Sequence, residues 1–218
     1  MKGRIVRMKS NSLVPSLEEE EEMRSAGYRL IAGIDEAGRG ALAGPVAAAA
    51  VILPPMVQGR WREEIRDSKL LSPSRREYLY HHIEDISLSI GTGMTMPDII
   101  DTSGIVNATR YAMEMAIEML SPPPDCLLID YLLLPGMRLP QKGIVDGDRL
   151  CFSIACASII AKVTRDRLMT ELDETYPGYG LAKHKGYGTR QHIACLQQIG
   201  ASPIHRRSFM PLRRLDTK

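Results

Sequence analysis

Asp35 and Glu36 stand side by side at the end of an apolar run, Leu30-Ile31-Ala32-Gly33-Ile34, and the turn Gly38-Arg39-Gly40 follows at once. Carboxylates at the end of a buried strand are costly unless a cation neutralises them, and hard divalent cations take carboxylate oxygens. Glycines let backbone N–H groups approach a ligand, and arginine suits phosphate. Two further acids, Asp130 after Cys126-Leu127-Leu128-Ile129 and Asp148 after Asp146-Gly147, also lie at or just past strand ends. Four carboxylates drawn together repel unless cations sit among them. Two Mg²⁺ or Mn²⁺ ions would neutralise them and clamp an in-line displacement at phosphorus. The pattern points to metal-dependent chemistry on a phosphate ester, against the plainer alternative of scattered surface acids. The same stretch fits a dinucleotide fingerprint, G-x-G-x-x-A over 38–43. That reading is disfavoured, because Gly44-Pro45 and another strand follow instead of a helix, and Asp35 and Glu36 would repel a pyrophosphate.

Bringing these acids together requires a sheet. Apolar or alternating runs predict strands at 28–36, 45–53, 88–96, 126–130 and 142–145. Helices are expected from Ser72-Pro73 to about 83, over 105–120, over 152–174 and near 191–199, with a basic, helical end at 205–214. The first three strands are expected antiparallel and the later ones parallel to the first, so that strands one and four are neighbours and Asp35 meets Asp130. Ser16 and Glu19 have capping-box spacing, and the run Glu18 to Glu22 reads as a solvated helix face. The polar stretch 58–66, which holds the one tryptophan, Trp61, reads as a surface insertion. Asp166, between Arg165 and Arg167, reads as a helix salt bridge and not as a fifth ligand. His184, His192 and the His81-His82 pair lack metal-ligand spacing and read as surface residues.

The 218 residues suffice for one good domain and a smaller appendage. We divide them into a flexible segment 1–14, a catalytic domain 15–174 and a small helical substrate-binding part 175–218. Twenty-eight basic against 26 acidic residues neither demand nor exclude nucleic acid, so charge placement must decide. The four cysteines form no C-x-x-C pair, as expected for reduced thiols of a cytoplasmic protein. The longest apolar stretch, 46–53, is far short of the ~20 residues a membrane helix needs. The basic start, Met1 to Ser10, lacks the apolar segment of a signal peptide.

The stretch Gly33 to Gly40 with Leu42-Ala43-Gly44-Pro45 resembles the N-terminal signature of the ribonuclease HII family. The resemblance continues through Asp67-Ser68-Lys69, Leu128-Ile129-Asp130, Gly147-Asp148, the run from Ala157 to Asp166, His184-Lys185-Gly186-Tyr187 and His205-Arg206-Arg207-Ser208-Phe209. It covers about 28–211 in the family's order, and the motifs are specific only jointly. It implies an α/β, ribonuclease H-like mixed five-stranded sheet flanked by helices, with a small helical C-terminal part. It also implies an endonuclease that cuts RNA in RNA/DNA hybrids, and duplex DNA at embedded ribonucleotides, leaving 3′-hydroxyl and 5′-phosphate ends. By the same resemblance Asp35, Glu36, Asp130 and Asp148 are the catalytic and metal-binding carboxylates. Gly38, Arg39 and Gly40 would contact the 2′-hydroxyl region, the group that tells RNA from DNA. Tyr187 would pack on the sugar at the ribo–deoxyribo junction; Lys69, Lys185, His205, Arg206 and Arg207 would contact phosphates. The expected cofactor is two Mn²⁺ or Mg²⁺ ions, the expected state a monomer, and a sliding-clamp contact is not legible in the sequence. The chain departs from the family's usual pattern at Ala41 (commonly proline), Leu70 (lysine), Tyr131 (glycine) and Asp146 (lysine). A nucleic-acid-binding module without catalysis is the alternative class, which the four intact carboxylates disfavour.

Overall fold

A computed structural model describes residues 4–7, 14–66 and 68–215. Their strands are β1 (Arg4–Arg7), β2 (Ile31–Ala37), β3 (Val46–Ile52), β4 (Ser89–Thr95), β5 (Cys126–Asp130) and β6 (Gln141–Val145). Their helices are α1 (Glu18–Ser25), α2 (Pro73–Ile86), α3 (Pro97–Ser103), α4 (Ile105–Glu118), α5 (Gly147–Leu150), α6 (Phe152–Thr175), α7 (Leu181–His184), α8 (Arg190–Ile199) and α9 (Leu212–Leu215). The sheet order is β1-β6-β5-β2-β3-β4. The five expected strands form its body, with β2, β3 and β4 antiparallel and β5 and β6 parallel to β2. Within the 1–14 segment, expected to be flexible, Arg4–Arg7 adds a sixth, edge strand that pairs with β6.

The middle of the sheet is built to be thin. Every residue of β3 is buried; Val46, Ala48, Ala50 and Ile52 pack toward α4, while Ala49 and Val51 face the cluster formed with α6 and α2. Four consecutive alanines let helices approach both faces. On β4, Gly93 lies so near α4 that a Cβ there would fall 2.2 Å from the Ala112 carbonyl oxygen. A third apolar cluster joins Met169 of α6 to Leu42, Tyr179, Leu181, Leu196, Ile204 and Leu212. It fastens the C-terminal part onto the turn that follows β2.

Several local expectations are corrected. The capping box does not form: Leu17 is the N-cap of α1, and its side chain makes no capping bond. The glutamate run is a solvated face only in part: Glu18, Glu21 and Glu22 are exposed, but Glu19 and Glu20 are buried. Glu20 Oε1 accepts from the Ser153 amide at 2.7 Å and so caps the start of α6, where the helix dipole favours a negative charge. Glu19 Oε2 lies 2.6 Å from Lys142 Nζ, off the hydrogen-bond direction, so that contact is ionic. Trp61 is buried, stacked on His82 and tilted against Phe152. Only Leu212–Leu215 is helical in the stretch 205–214 and its edge. Among the described residues, no helix is long and apolar enough to cross a membrane.

Candidate active site

The register between β2 and β5 sets Ile34 against Ile129, so Asp35 and Asp130 emerge side by side where the two strands end. Glu36 is one residue further along β2. Ligand atoms of Asp35, Glu36 and Asp130 all lie within 4.8 Å of one another. The α5 turn brings in Asp148, buried and close enough for its charge to act on both Asp35 and Asp130. The local bonds hold this crowd in place. The Glu36 amide donates to Asp35 Oδ1 at 2.7 Å, and the Gly147 amide donates to Asp130 Oδ1 at 2.7 Å. Arg39 reaches back to Glu36 Oε1 at 3.1 Å, and Lys69 Nζ lies 3.6 Å from Asp148 Oδ2.

Burial pushes Asp35, Glu36 and Asp130 toward the protonated form, and like charge adds to it at Asp35 and Asp130. Asp35 is raised well above the usual carboxylate range, by burial first and then by Glu36, Asp130 and Asp148. Asp130 is raised to about 7, mainly by burial, against the pull of the Gly147 amide. Glu36 is raised by burial although Arg39 pulls it down. Its second oxygen, Oε2, is buried with no hydrogen-bond partner. A donor set of closely spaced carboxylate oxygens, one of them unpartnered, fits a hard divalent cation.

Asp35, Glu36 and Asp130 open into a cleft of about 580 Å³ that also exposes Gly38, Arg39, Gly40, Lys69 and Tyr187, all expected at the site. The turn has a physical reason for its first glycine: Gly38 has φ +90°, and a Cβ there would fall 2.0 Å from Arg165 Nε. Arg76 and Lys162, to which the sequence reading gave no role, line the same cleft. Arg76 donates to the carbonyls of Ser68 and Leu71 and so holds the loop that carries Lys69. Lys162 pairs with Asp166 at 2.6 Å, one helical turn on, a spacing legible in the sequence. Asp166 is thus in an ion pair, as expected, but with Lys162 and Arg76 and not with Arg165 or Arg167. Lys185 lines an adjoining pocket of about 410 Å³ that shares Arg76, Lys162 and Tyr187 with the cleft.

Two expected phosphate contacts are corrected. His205 and Arg206 are buried. Arg206 donates to the carbonyls of Gly44 (3.0 Å) and Arg39 (2.8 Å), and its Nη2 has no hydrogen-bond partner. Arg165, also buried, donates to the carbonyls of Ala43, Pro45 and Lys185. The two guanidinium groups brace the glycine turn from beneath. Arg207 remains exposed, its amide bonded to Asp101. His184 and His192, read as surface residues, are buried too. Asp146 and Tyr131, both exposed, adopt left-handed backbone (φ 58° and 57°). At Tyr131 this explains why glycine suits the position.

The family model of ribonuclease HII matches residues 32–211. The chain belongs to the ribonuclease HII family. A ribonuclease HII of Dehalococcoides mccartyi is 60% identical over 206 residues, covering 94% of this chain and 97% of that protein. Among solved structures, the ribonuclease H2 of Pyrococcus horikoshii superposes with a TM-score of 0.72 at 25% identity, covering 86% of this chain and 97% of that one. The ribonuclease HII of Archaeoglobus fulgidus, solved in complex with PCNA, gives a TM-score of 0.66 at 26% identity, covering 87% and 100%. Membership in the ribonuclease HII family makes the chain a hydrolytic endoribonuclease that cleaves RNA in RNA/DNA hybrids.

Proposed function

We propose that the chain is a divalent-metal-dependent endonuclease that also cuts duplex DNA at embedded ribonucleotides, leaving 3′-hydroxyl and 5′-phosphate ends. The observation that carries this is the meeting of Asp35, Glu36 and Asp130 within 4.8 Å, beside the glycine turn, in one cleft. Those three residues, with Asp148 as the fourth carboxylate, would hold Mn²⁺ or Mg²⁺. Two such ions supply Lewis acidity to the phosphodiester and to the attacking water.

The chain's own groups do the rest. The Gly38–Gly40 turn, braced by Arg165 and Arg206, presents backbone N–H groups to a 2′-hydroxyl. Arg39 is held by Glu36 at the cleft wall, near any phosphate that enters. Tyr187, 36% exposed at the cleft, offers a ring face to the sugar at the junction. Lys69, Lys185 and Arg207 are the phosphate contacts that remain after His205 and Arg206 are withdrawn. The part 175–218 acts as the substrate-binding appendage, and the enzyme works in the cytoplasm.

The test is incubation with a duplex carrying one ribonucleotide, with and without Mg²⁺ or Mn²⁺, with both ends of the product mapped. Metal-dependent cleavage at the ribonucleotide, with the stated ends, is expected. Binding without cleavage in either metal would sink the reading.

A further inference from the structure

Three buried histidines of the C-terminal part, His184, His192 and His205, form a chain of rings. His184 and His192 stack with ring centroids 4.4 Å apart and planes 18° apart. His192 Nε2 meets His205 Nε2 at 3.0 Å. A ring-to-ring contact of two nitrogens needs one donor and one acceptor, and the outer contacts decide which is which. His192 Nδ1 lies 3.0 Å from the Tyr187 carbonyl, which can only accept, so Nδ1 carries the proton and Nε2 accepts. His205 Nε2 must then donate, leaving its Nδ1 to accept from the Ser202 amide (3.1 Å) and hydroxyl (2.8 Å). His184 follows the same logic: Nε2 donates to the Tyr179 carbonyl at 2.8 Å, and Nδ1 accepts from the Gly186 amide at 3.3 Å. Every ring nitrogen of the three is engaged, and only neutral rings satisfy the set.

The chain ends on one short segment. His192 holds the Tyr187 carbonyl, the His184 ring holds the Gly186 amide, and the His184 carbonyl accepts the Tyr187 amide at 3.0 Å. That segment is strained, since Lys185 has φ 52°. Non-glycine residues keep such a conformation only where their surroundings over-determine it. We infer that His192 is a positioning residue for Tyr187, with His205 fixing its tautomer, so that a buried histidine chain sets how well the enzyme discriminates the ribo–deoxyribo junction. The inference rests on the reading of Tyr187 as the sugar contact.

Two substitutions separate the ring's two nitrogens. In His192→Asn the amide nitrogen reaches where Nδ1 was and keeps the bond to Tyr187. In His192→Gln the side-chain amide reaches where Nε2 was, keeps an acceptor for His205 and releases Tyr187. On a duplex with one ribonucleotide, His192→Gln should raise KM about fivefold, the size of one lost hydrogen bond, with kcat within about twofold. His192→Asn should stay within about twofold of the parent in both. Hydrogen exchange of the 186 and 187 amides, read without substrate, should quicken in His192→Gln and not in His192→Asn. Variants that exchange alike, both slow or both fast, overturn the inference, as does separate exchange with equal KM. If the parent cleaves no such duplex, the functional reading fails and the exchange comparison alone decides the positioning role.

Discussion

At the ends of β2 and β5, Asp35, Glu36 and Asp130 crowd three groups of one charge sign into a buried corner, with Glu36 Oε2 left unpartnered. In the C-terminal part, His184, His192 and His205 crowd three titratable rings, and each ring nitrogen has a partner. Both clusters are buried and polar. The difference is that the histidines are complete within the chain, whereas the acids are electrostatically complete only with something added. Incomplete electrostatics marks the place where chemistry is done; completed electrostatics marks the frame that aims it.

The largest effect should come from removing one acid. Asp35→Asn is expected to lower turnover at least ~10²-fold on an RNA/DNA hybrid, the loss typical of one electrostatic stabiliser. Without divalent metal, the same variant should melt higher than the parent at pH 8, because one repelling charge is gone. Near-parental turnover, or a lower metal-free melting temperature, would remove the contrast between the two clusters.

The next effect has opposite signs in the two places. Asp130 is raised from 3.8 to about 7 on folding, so the metal-free protein is stabilised by its bound proton below about pH 4 and loses that stabilisation as pH rises through 7. His205 is lowered from 6.5 to about 4, by burial first and then by His192. Its neutral form supports the fold above pH 6.5, and that support is lost as pH falls through 4, at most about 3 kcal/mol in all. Between about pH 4 and 7, stability in denaturant melts should therefore rise less with pH in His205→Gln than in the parent, and fall less with pH in Asp130→Asn. Identical pH profiles for both variants would show that the clusters do not differ in this way.

The acid cluster was legible in the sequence, and the histidine cluster was not. Apolar runs that stop at Asp35 and Asp130 announce buried strands with polar ends, and the parallel pairing of those strands brings the acids together. No such local sign exists for His205 or Arg206. They sit in a basic, polar stretch, and their partners Gly44 and Arg39 lie 162 and 167 residues away for Arg206. Glu19 and Glu20 were misread for the same reason, since Lys142 and the Ser153 amide come from the far side of the chain. Hydrophobic period reports where apolar side chains go; it carries no information on which polar side chain will be buried by a distant carbonyl or cation.

A smaller effect tests whether reading the sugar and holding the metal are separate tasks. Tyr187→Ala should slow cleavage at a single embedded ribonucleotide about tenfold, on the scale of one lost stacking contact. Calorimetric Mn²⁺ binding should be unchanged, because the cluster is made of Asp35, Glu36 and Asp130 and takes no ligand atom from Tyr187. Equal losses in both would make the tyrosine part of the frame.

The smallest effect is expected at Asp146, where the family usually carries lysine. The residue is exposed, adopts left-handed backbone at the start of α5, and is absent from the residues that line the cleft. Gly147 bends the chain between Asp146 and the buried Asp148, so two acids two positions apart have different surroundings. Asp146→Lys changes the local charge by two at a solvated site, where the Debye length at physiological salt is about 8 Å. Hybrid affinity should rise less than about twofold at low salt and return to the parent value near ~0.15 M. The metal concentration giving half-maximal rate should not move. Aspartate tolerates the left-handed conformation better than lysine does, so a small fall in melting temperature is the expected side effect. A salt-resistant gain in affinity, or a higher metal requirement, would place Asp146 within reach of the site and extend the incomplete cluster by one more acid.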